Sequence, residues 1–245
     1  TVAKWFSRGV GGLFVYLEKP PVPLIQQLND LIVLEGRQKI AVGFPMICSQ
    51  TVRQLKQWIS NGDLGKIETI CVSVGWPRWN GYYQRATWSG RMMLDGEAVF
   101  DGPATNANAH LLHNIMFLAG KTFEDFDAPV EIEGELYRAR PIESYDVASL
   151  RGRFESGTTF VFTAAHAVEE HVPFRIEVRG GKGRAWIAND GKVLESDCGL
   201  VNKPMASDDA FLNCYHGFIE YVRGQRPKAP TSLADTRGYL LATNG

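Results

Sequence analysis

The sequence predicts an α+β fold in which a large, mostly antiparallel open sheet carries helices on one face, and three observations predict it. Between residues 130 and 188 five β-rich stretches follow one another, near 130–139, 146–155, 158–166, 174–179 and 184–188. They are joined by turn signals such as Glu155-Ser156-Gly157 and Gly180-Gly181-Lys182-Gly183, as in a meander. Segments before and after this block carry apolar residues at helical spacing, and strands grouped apart from helices imply a sheet covered on one side. The chain opens differently, as strand, helix, strand, the order of a βαβ unit.

In order along the chain, Leu13-Phe14-Val15-Tyr16-Leu17 is a short apolar run suited to a buried strand. Leu24, Ile25, Leu28, Leu31, Ile32 and Leu34 recur at helical spacing, and Ile40 to Phe44 reads as a second buried strand. A helix over about 49–59 follows, with Val52, Leu55, Trp58 and Ile59 on one face and Asn61-Gly62 closing it. Ile67 to Val74 alternates as a strand. Residues 75–101 have no clean period; Trp76, Trp79, Tyr82, Tyr83 and Trp88 are interleaved there with Arg78, Arg85 and Arg91. Long loops without their own period are uncommon in compact domains and are more often functional than structural. A helix is expected from Pro103 to Leu118, and Phe211, Cys214, Tyr215, Phe218, Ile219 and Val222 form the stripe of another near the end.

Composition narrows the classes of function. The 26 Lys and Arg nearly balance the 27 Asp and Glu, for a formal charge of -1, which gives no electrostatic reason to expect nucleic acid or an anionic membrane as partner. No apolar run approaches the roughly 18 to 20 residues of a membrane span. The four cysteines, Cys48, Cys71, Cys198 and Cys214, are far apart and read as reduced thiols. His166 and His171, near Glu169 and Glu170, match no metal-binding spacing, so no metal is expected. The expected ligand is a small molecule, and a cytoplasmic location is expected. The opening Thr1 suggests that the chain begins inside a longer protein.

Four pieces in sequence then resemble one family. Glu18-Lys19-Pro20 directly follows an apolar strand and precedes a helix; Val42-Gly43-Phe44 ends the next strand; Gly62-Asp63-Leu64-Gly65-Lys66-Ile67 links helix to strand; and Gly180 to Gly183 turns a late hairpin. Thr231-Ser232-Leu233-Ala234-Asp235 is similar to the start of that family's closing helix. With these pieces the chain resembles the C-terminal part of the glucose-fructose oxidoreductase / inositol dehydrogenase (Gfo/Idh/MocA) type. The resemblance implies that residues 1–45 are a remnant of a Rossmann-type dinucleotide-binding domain ending at the E-K-P junction. Residues 46–245 would be the substrate-binding and oligomerisation domain, its final helix returning toward the first part. It implies NAD or NADP as cofactor and, through the open sheet, a homodimer or homotetramer. No G-x-G-x-x-G follows a strand, since Gly9-Val10-Gly11-Gly12 precedes one, so the chain by itself is not expected to bind a dinucleotide.

The same resemblance places Glu18, Lys19 and Pro20 beside the cofactor, Lys19 at the reacting oxygen and, in many relatives, a cis bond before Pro20. A lysine suits hydride transfer at a secondary alcohol, because a cation stabilises alkoxide character. His110 stands where the family has its proton acceptor, and imidazole titrates close to working pH. Asn106 stands where the family has an aspartate; it can orient a neighbour but supplies no negative charge. On a continuous helix Asn106 and His110 would share a face, while His113 is expected to be structural. After Phe44, Pro45-Met46-Ile47-Cys48 lacks the basic or aromatic substrate contacts of many relatives. Trp76, Arg78, Trp79, Tyr82 and Arg85 could replace them, with aromatic faces on a sugar and Arg on hydroxyls or a carboxylate.

The expected activity is therefore NAD(P)-dependent oxidation or reduction of a sugar, cyclitol or related polyhydroxylated compound. One alternative is an NAD-dependent glycoside hydrolase of the same family, and another a non-catalytic sugar-binding or assembly domain. If Lys19, Asn106 and His110 meet in one cleft with the aromatic loop, the site has an enzymatic origin; a His110 sealed in the core would favour the non-catalytic alternative.

Overall fold

The computed structural model describes residues 14–35, 38–201 and 209–244; the glycines at 9–12 lie outside the described residues. The opening βαβ unit forms as expected. β1 (Phe14–Glu18) pairs in parallel with β2 (Lys39–Gly43), and helix α1 (Ile25–Glu35) makes the crossover. Leu28, Leu31, Ile40 and Val42 are fully buried between them.

A 3-10 turn at Pro45–Cys48 leads into α2 (Gln50–Ser60). Ser49 caps α2, its Oγ accepting from the Val52 N–H at 3.3 Å. The helix stops at Asn61, and Gly62 follows with φ +73°, the left-handed residue that ends many helices. Next comes β3 (Ile67–Gly75), then the loop that held no clear period. The loop contains a single helical turn, α3 (Asn80–Tyr83), and a small hairpin of β4 (Met93–Leu94) with β5 (Glu97–Ala98).

The main sheet has seven strands: β3 with β6 (Pro129–Tyr137), β7 (Val147–Phe154), β8 (Thr159–Ala165), β9 (Val172–Gly180), β10 (Gly183–Ala188) and β11 (Val193–Ser196). Their order is β11-β10-β9-β3-β8-β7-β6. Two sequence expectations change here. The meander is interrupted, because β3 inserts between β8 and β9, parallel to the first and antiparallel to the second; a further edge strand, β11, follows β10. Every other pairing in the sheet is antiparallel.

Side chains alternate across this sheet, as strand geometry requires. Ile70, Val72, Phe160, Phe162, Ala164, Ile176, Val178, Ala185 and Ile187 point to one face and are buried under α2 and under α4 (Ala109–Ala119). Leu112, Ile115, Met116, Phe117 and Leu118 of α4 are fully buried, as are the polar His113 and Asn114, so the helix is enclosed on nearly every side. Among the described residues no helix packs on the opposite face. Thr69 meets Thr159 at 3.0 Å, Arg151 pairs with Glu133 and Arg153 with Glu131, and Val161 and Tyr137 remain exposed.

The chain then returns to its start. α5 (Ala210–Val222) packs on the Pro45–Cys48 turn and β2, and the Val42 N–H donates to Thr231 O at 2.9 Å. A 3-10 turn at Ala234–Thr236 opens α6 (Arg237–Asn244), which lies against α1 and α4. Asn244 fastens the contact, its Oδ1 accepting from the Ile25 N–H at 2.9 Å and its Nδ2 donating to Pro23 O at 3.0 Å. No helix among the described residues is long and apolar enough to cross a membrane.

Candidate active site

The segment expected to be one helix from Pro103 to Leu118 is two. Pro103–Ala107 is a π-helical turn in which the Asn108 N–H reaches back five residues to Pro103 O at 2.9 Å, and the α-helix starts afresh at Ala109. Single π turns of this kind are frequent at functional sites because they re-aim side chains. Tyr239 of α6 props the segment, donating from its buried hydroxyl to Thr105 O at 3.0 Å. Thus Asn106 and His110 do not share one regular helix, yet both line the same cavity.

Lys19 enters that cavity from the end of β1, just before the Lys19–Pro20 peptide bond, which is cis. Its Nζ donates to Asn106 O at 2.5 Å and to Asn106 Oδ1 at 3.1 Å. The other end of the Asn106 amide is committed too, Nδ2 donating to Asp101 Oδ1 at 2.7 Å. Asp101 is buried and its second oxygen accepts from the Gly90 N–H at 2.7 Å. The charge that asparagine lacks therefore sits one hydrogen bond behind it. Burial pulls the Lys19 ammonium below the ordinary lysine range, opposed by Glu18 and Asp101 and reinforced by Arg85.

His110 faces Lys19 across the cavity, packed edge-on to Phe44 with ring centroids 5.7 Å apart. Its Nδ1 is buried without a hydrogen-bond partner. Burial first, and then the Lys19 charge, push its pKa down to about 3, away from the near-working-pH titration expected from sequence, so the imidazole of the free protein is neutral across the neutral pH range. His113 is a core residue, fully buried and stacked between Phe44 at 4.0 Å and Phe126 at 5.0 Å, with neither ring nitrogen partnered.

That burial makes a stability prediction. His113 has a folded pKa of about 3 against an ordinary 6.5, so below pH 6.5 the unfolded chain binds a proton that the folded chain does not. Its contribution to stability is present above 6.5 and is lost as pH falls toward 3. His113→Phe should keep the stacking and lose less stability than the parent between pH 6.5 and 4, read by urea unfolding. An unchanged pH slope would contradict it.

The aromatic loop supplies the far wall. Arg78 lies between Trp76 and Tyr82, its guanidinium carbon 4.3 and 4.5 Å from the ring centroids. Arg85 lies over Tyr82 at 3.9 Å and Trp88 at 4.9 Å, and its Nη2 donates to Tyr82 Oη at 2.8 Å. The loop is anchored to the sheet because Trp76 N–H donates to Ala165 O at 2.8 Å and Trp76 O contacts His166 Nδ1 at 2.8 Å. The remaining histidine near the acidic pair, His171, bonds Asp190 at 2.8 Å.

Of the residues expected from sequence, Lys19, Asn106, His110, Trp76, Arg78, Tyr82 and Arg85 line one cavity of about 410 Å3. Trp79 does not; it is 62% exposed at the start of α3, outside the lining. Glu18 and Pro20 flank Lys19 without lining the cavity. Sequence reasoning missed Asp101 and Asn108. Asn108 is 2% exposed, lines the cavity and has no partner for either amide atom. Only a π turn brings these two to the site, and no sequence period announces one.

A family model described as "GFO/IDH/MocA C-terminal domain" matches residues 52–186. No curated protein matches the chain. Among solved structures, the WlbA dehydrogenase from Bordetella pertussis, in complex with NADH and UDP-GlcNAcA, is similar with a TM-score of 0.79 at 20% identity, over 99% of this chain and 70% of that one. An NAD binding oxidoreductase from Klebsiella pneumoniae is similar with a TM-score of 0.79 at 16% identity, over 99% and 72%. An oxidoreductase from Thermotoga maritima gives 0.77 at 15%, over 99% and 69%. At these identities the structures speak for the fold, which is that of dehydrogenases spanning more sequence than this chain. Because the family model covers more than half of the 245 residues, the chain belongs to the GFO/IDH/MocA family of oxidoreductases, of which it represents the C-terminal part.

Proposed function

We propose that the chain is the substrate-binding and proton-transferring part of an NAD(P)-dependent dehydrogenase acting on a sugar, cyclitol or related polyhydroxylated compound. The observation that carries this reading is the meeting of Lys19, Asn106 and His110 in one cavity walled by an aromatic and cationic loop. Neighbours of the same fold include a dehydrogenase solved with NADH and a nucleotide sugar.

The fit to a nicotinamide nucleotide is partial. Asn108, a buried amide with both atoms unpartnered, suits a carboxamide or a pair of hydroxyls, and Lys19 stands at the C-terminal end of a parallel strand, where nucleotide ligands sit in such sheets. No glycine-rich phosphate cradle accompanies them among the described residues. A bound nicotinamide would accept hydride from the carbinol carbon. The residues of this chain would handle the oxygen: the Lys19 ammonium would hold it and stabilise its negative character, while neutral His110 would take the hydroxyl proton. Asn106 orients Lys19, and Asp101 fixes the Asn106 amide by accepting from its Nδ2.

Asp101→Asn is expected to lower kcat about tenfold with little change in KM, since it disturbs the orientation of Lys19 and adds no bulk. The alkaline limb of the pH profile should also move to lower pH, because the carboxylate favours the charged ammonium. An unmoved limb would assign Asp101 to folding alone.

The reading is tested by expressing the complete gene and following reduced-nicotinamide absorbance with NAD(H) or NADP(H) over a panel of hexoses, cyclitols and sugar acids. Turnover or copurified nucleotide supports it; neither across the panel overturns it. The helix-free sheet face supports pairing between copies, as a homodimer or homotetramer in the cytoplasm. Tyr137→Lys combined with Val161→Lys, two exposed residues of that face, should reduce the mass seen by light scattering to the monomer, and an unchanged mass would remove that face from the assembly.

A further inference from the structure

The cavity is unevenly charged. Lys19, Arg78 and Arg85 line it, and among the described residues no carboxylate side chain does. Among the described residues none of the three forms an ion pair; every ion pair there involves other arginines, Lys228 or His171. Asp101 lies behind Asn106, and Glu18 turns outward as an exposed residue.

Both guanidinium groups are held in place. Arg78 is sandwiched by Trp76 and Tyr82, and Arg85 is stacked on Tyr82 and Trp88 and bonded to Tyr82 Oη. Stacking uses the faces of the guanidinium planes and leaves N–H groups at their edges in a fixed direction. On Arg85, Nε donates to Ser89 Oγ at 3.3 Å and Nη2 to Tyr82 Oη, which leaves Nη1 for a ligand. Arg78 shows the consequence: its Nε is buried and has no acceptor. Buried donors of charged groups are rarely left so, and an acceptor supplied by ligand removes the penalty.

Resting on the dehydrogenase reading above, we infer that the substrate is a sugar acid, a polyhydroxylated ring or chain bearing a carboxylate, with the carboxylate held by Arg78 and Arg85 and the reacting hydroxyl by Lys19 and His110. A planar two-oxygen anion matches the guanidinium fork better than a hydroxymethyl group does, because it accepts two N–H bonds and neutralises the charge. The unpaired Asn108 amide is left to bond ring hydroxyls. A cavity of about 410 Å3 falls within the usual range for small-molecule sites and accommodates a ligand of this size.

The test is calorimetry on the product of the complete gene, saturated with NADH so that the alcohol ligands are bound and not turned over. Glucuronate and galacturonate are compared with glucose and galactose, which differ only in carrying hydroxymethyl where the acids carry carboxylate, and with inorganic phosphate. At least tenfold tighter binding of an acid than of its neutral partner is expected, with phosphate weak. Arg78→Gln should abolish that preference, weakening the acids at least tenfold more than their neutral partners; Arg85→Gln serves as the second variant should Arg78→Gln not fold.

Equal binding of acids and neutral sugars overturns the inference and leaves the dehydrogenase reading standing. Phosphate binding as tightly as the uronates overturns the carboxylate assignment, since charge alone would then suffice. If Arg78→Gln weakens NADH and spares the uronates, the arginine serves the nucleotide and the inference falls. Failure of every sugar to bind, with no nucleotide bound, removes both.

Discussion

Replacing His110 by asparagine should lower kcat of the complete enzyme by about a hundred- to ten-thousand-fold, the range typical for loss of a positioned acid–base group. Substrate affinity should change far less, because the proton is transferred only on the way to the transition state. The pH profile makes the prediction specific. His110 is neutral down to about pH 3 in the free protein, held there by burial and by the Lys19 charge, so no decline assignable to it is expected near pH 6.5. The acid limb should lie well below the ordinary histidine range, and the alkaline limb, set by Lys19, below the ordinary lysine range. Lys19→Met should bring a loss of similar size with no alkaline limb. Retention of full activity by either variant would refute the assigned roles.

The largest expected effect on stability lies away from the cavity. Lys56 is fully buried on α2, and its Nζ donates to Phe117 O and Gly120 O, both at 2.6 Å, at the C-terminus of α4. A helix end leaves carbonyls without intrahelical partners, and here they are enclosed by protein; the ammonium satisfies two of them and meets the negative end of the helix dipole. Lys56→Met keeps much of the volume and removes both donors. A loss of about 2–5 kcal/mol is expected from stranding two buried carbonyls, measured as a lower urea midpoint. Burial lowers the Lys56 pKa to about 7, against partial compensation from Asp125. Between pH 7 and the ordinary lysine value of 10.5 the unfolded chain thus binds more protons, and this group's contribution favours folding increasingly as pH rises. The parent should show that rise and Lys56→Met should not; parallel curves would contradict the assignment.

Much of this molecule was legible in its residues. Ser49, Asn61 and Gly62 bound α2 because cap chemistry is local, and the glycine turns after β7 and β9 fix hairpins for the same reason. That Lys19 and His110 would share one cavity was legible through the motifs around them. What escaped depends on pairing between distant segments. Nothing in Ile67–Gly75 records that its neighbours are β8 and β9, since alternation reports burial of a face and is silent about partners. The π turn escaped because the apolar period on either side of Asn108 suits a continuous helix. Asp101 was hidden for the same reason, as its contact with Asn106 exists only once the turn forms. Trp79 was grouped with its aromatic neighbours, but the turn of α3 leaves it exposed.

The position of β3 also constrains how the molecule is assembled during synthesis. The strand at the middle of the sheet leaves the ribosome as residues 67–75, while the segments that hydrogen-bond to it are residues 159–165 and 172–180. Both edges of an apolar strand must wait for some ninety further residues to be translated. Pairings so distant in the chain slow folding and leave the nascent protein prone to association. The β6–β7–β8 antiparallel unit can close locally and offer the first template for that strand, so this protein should depend more on helper chaperones than an uninterrupted meander of equal size.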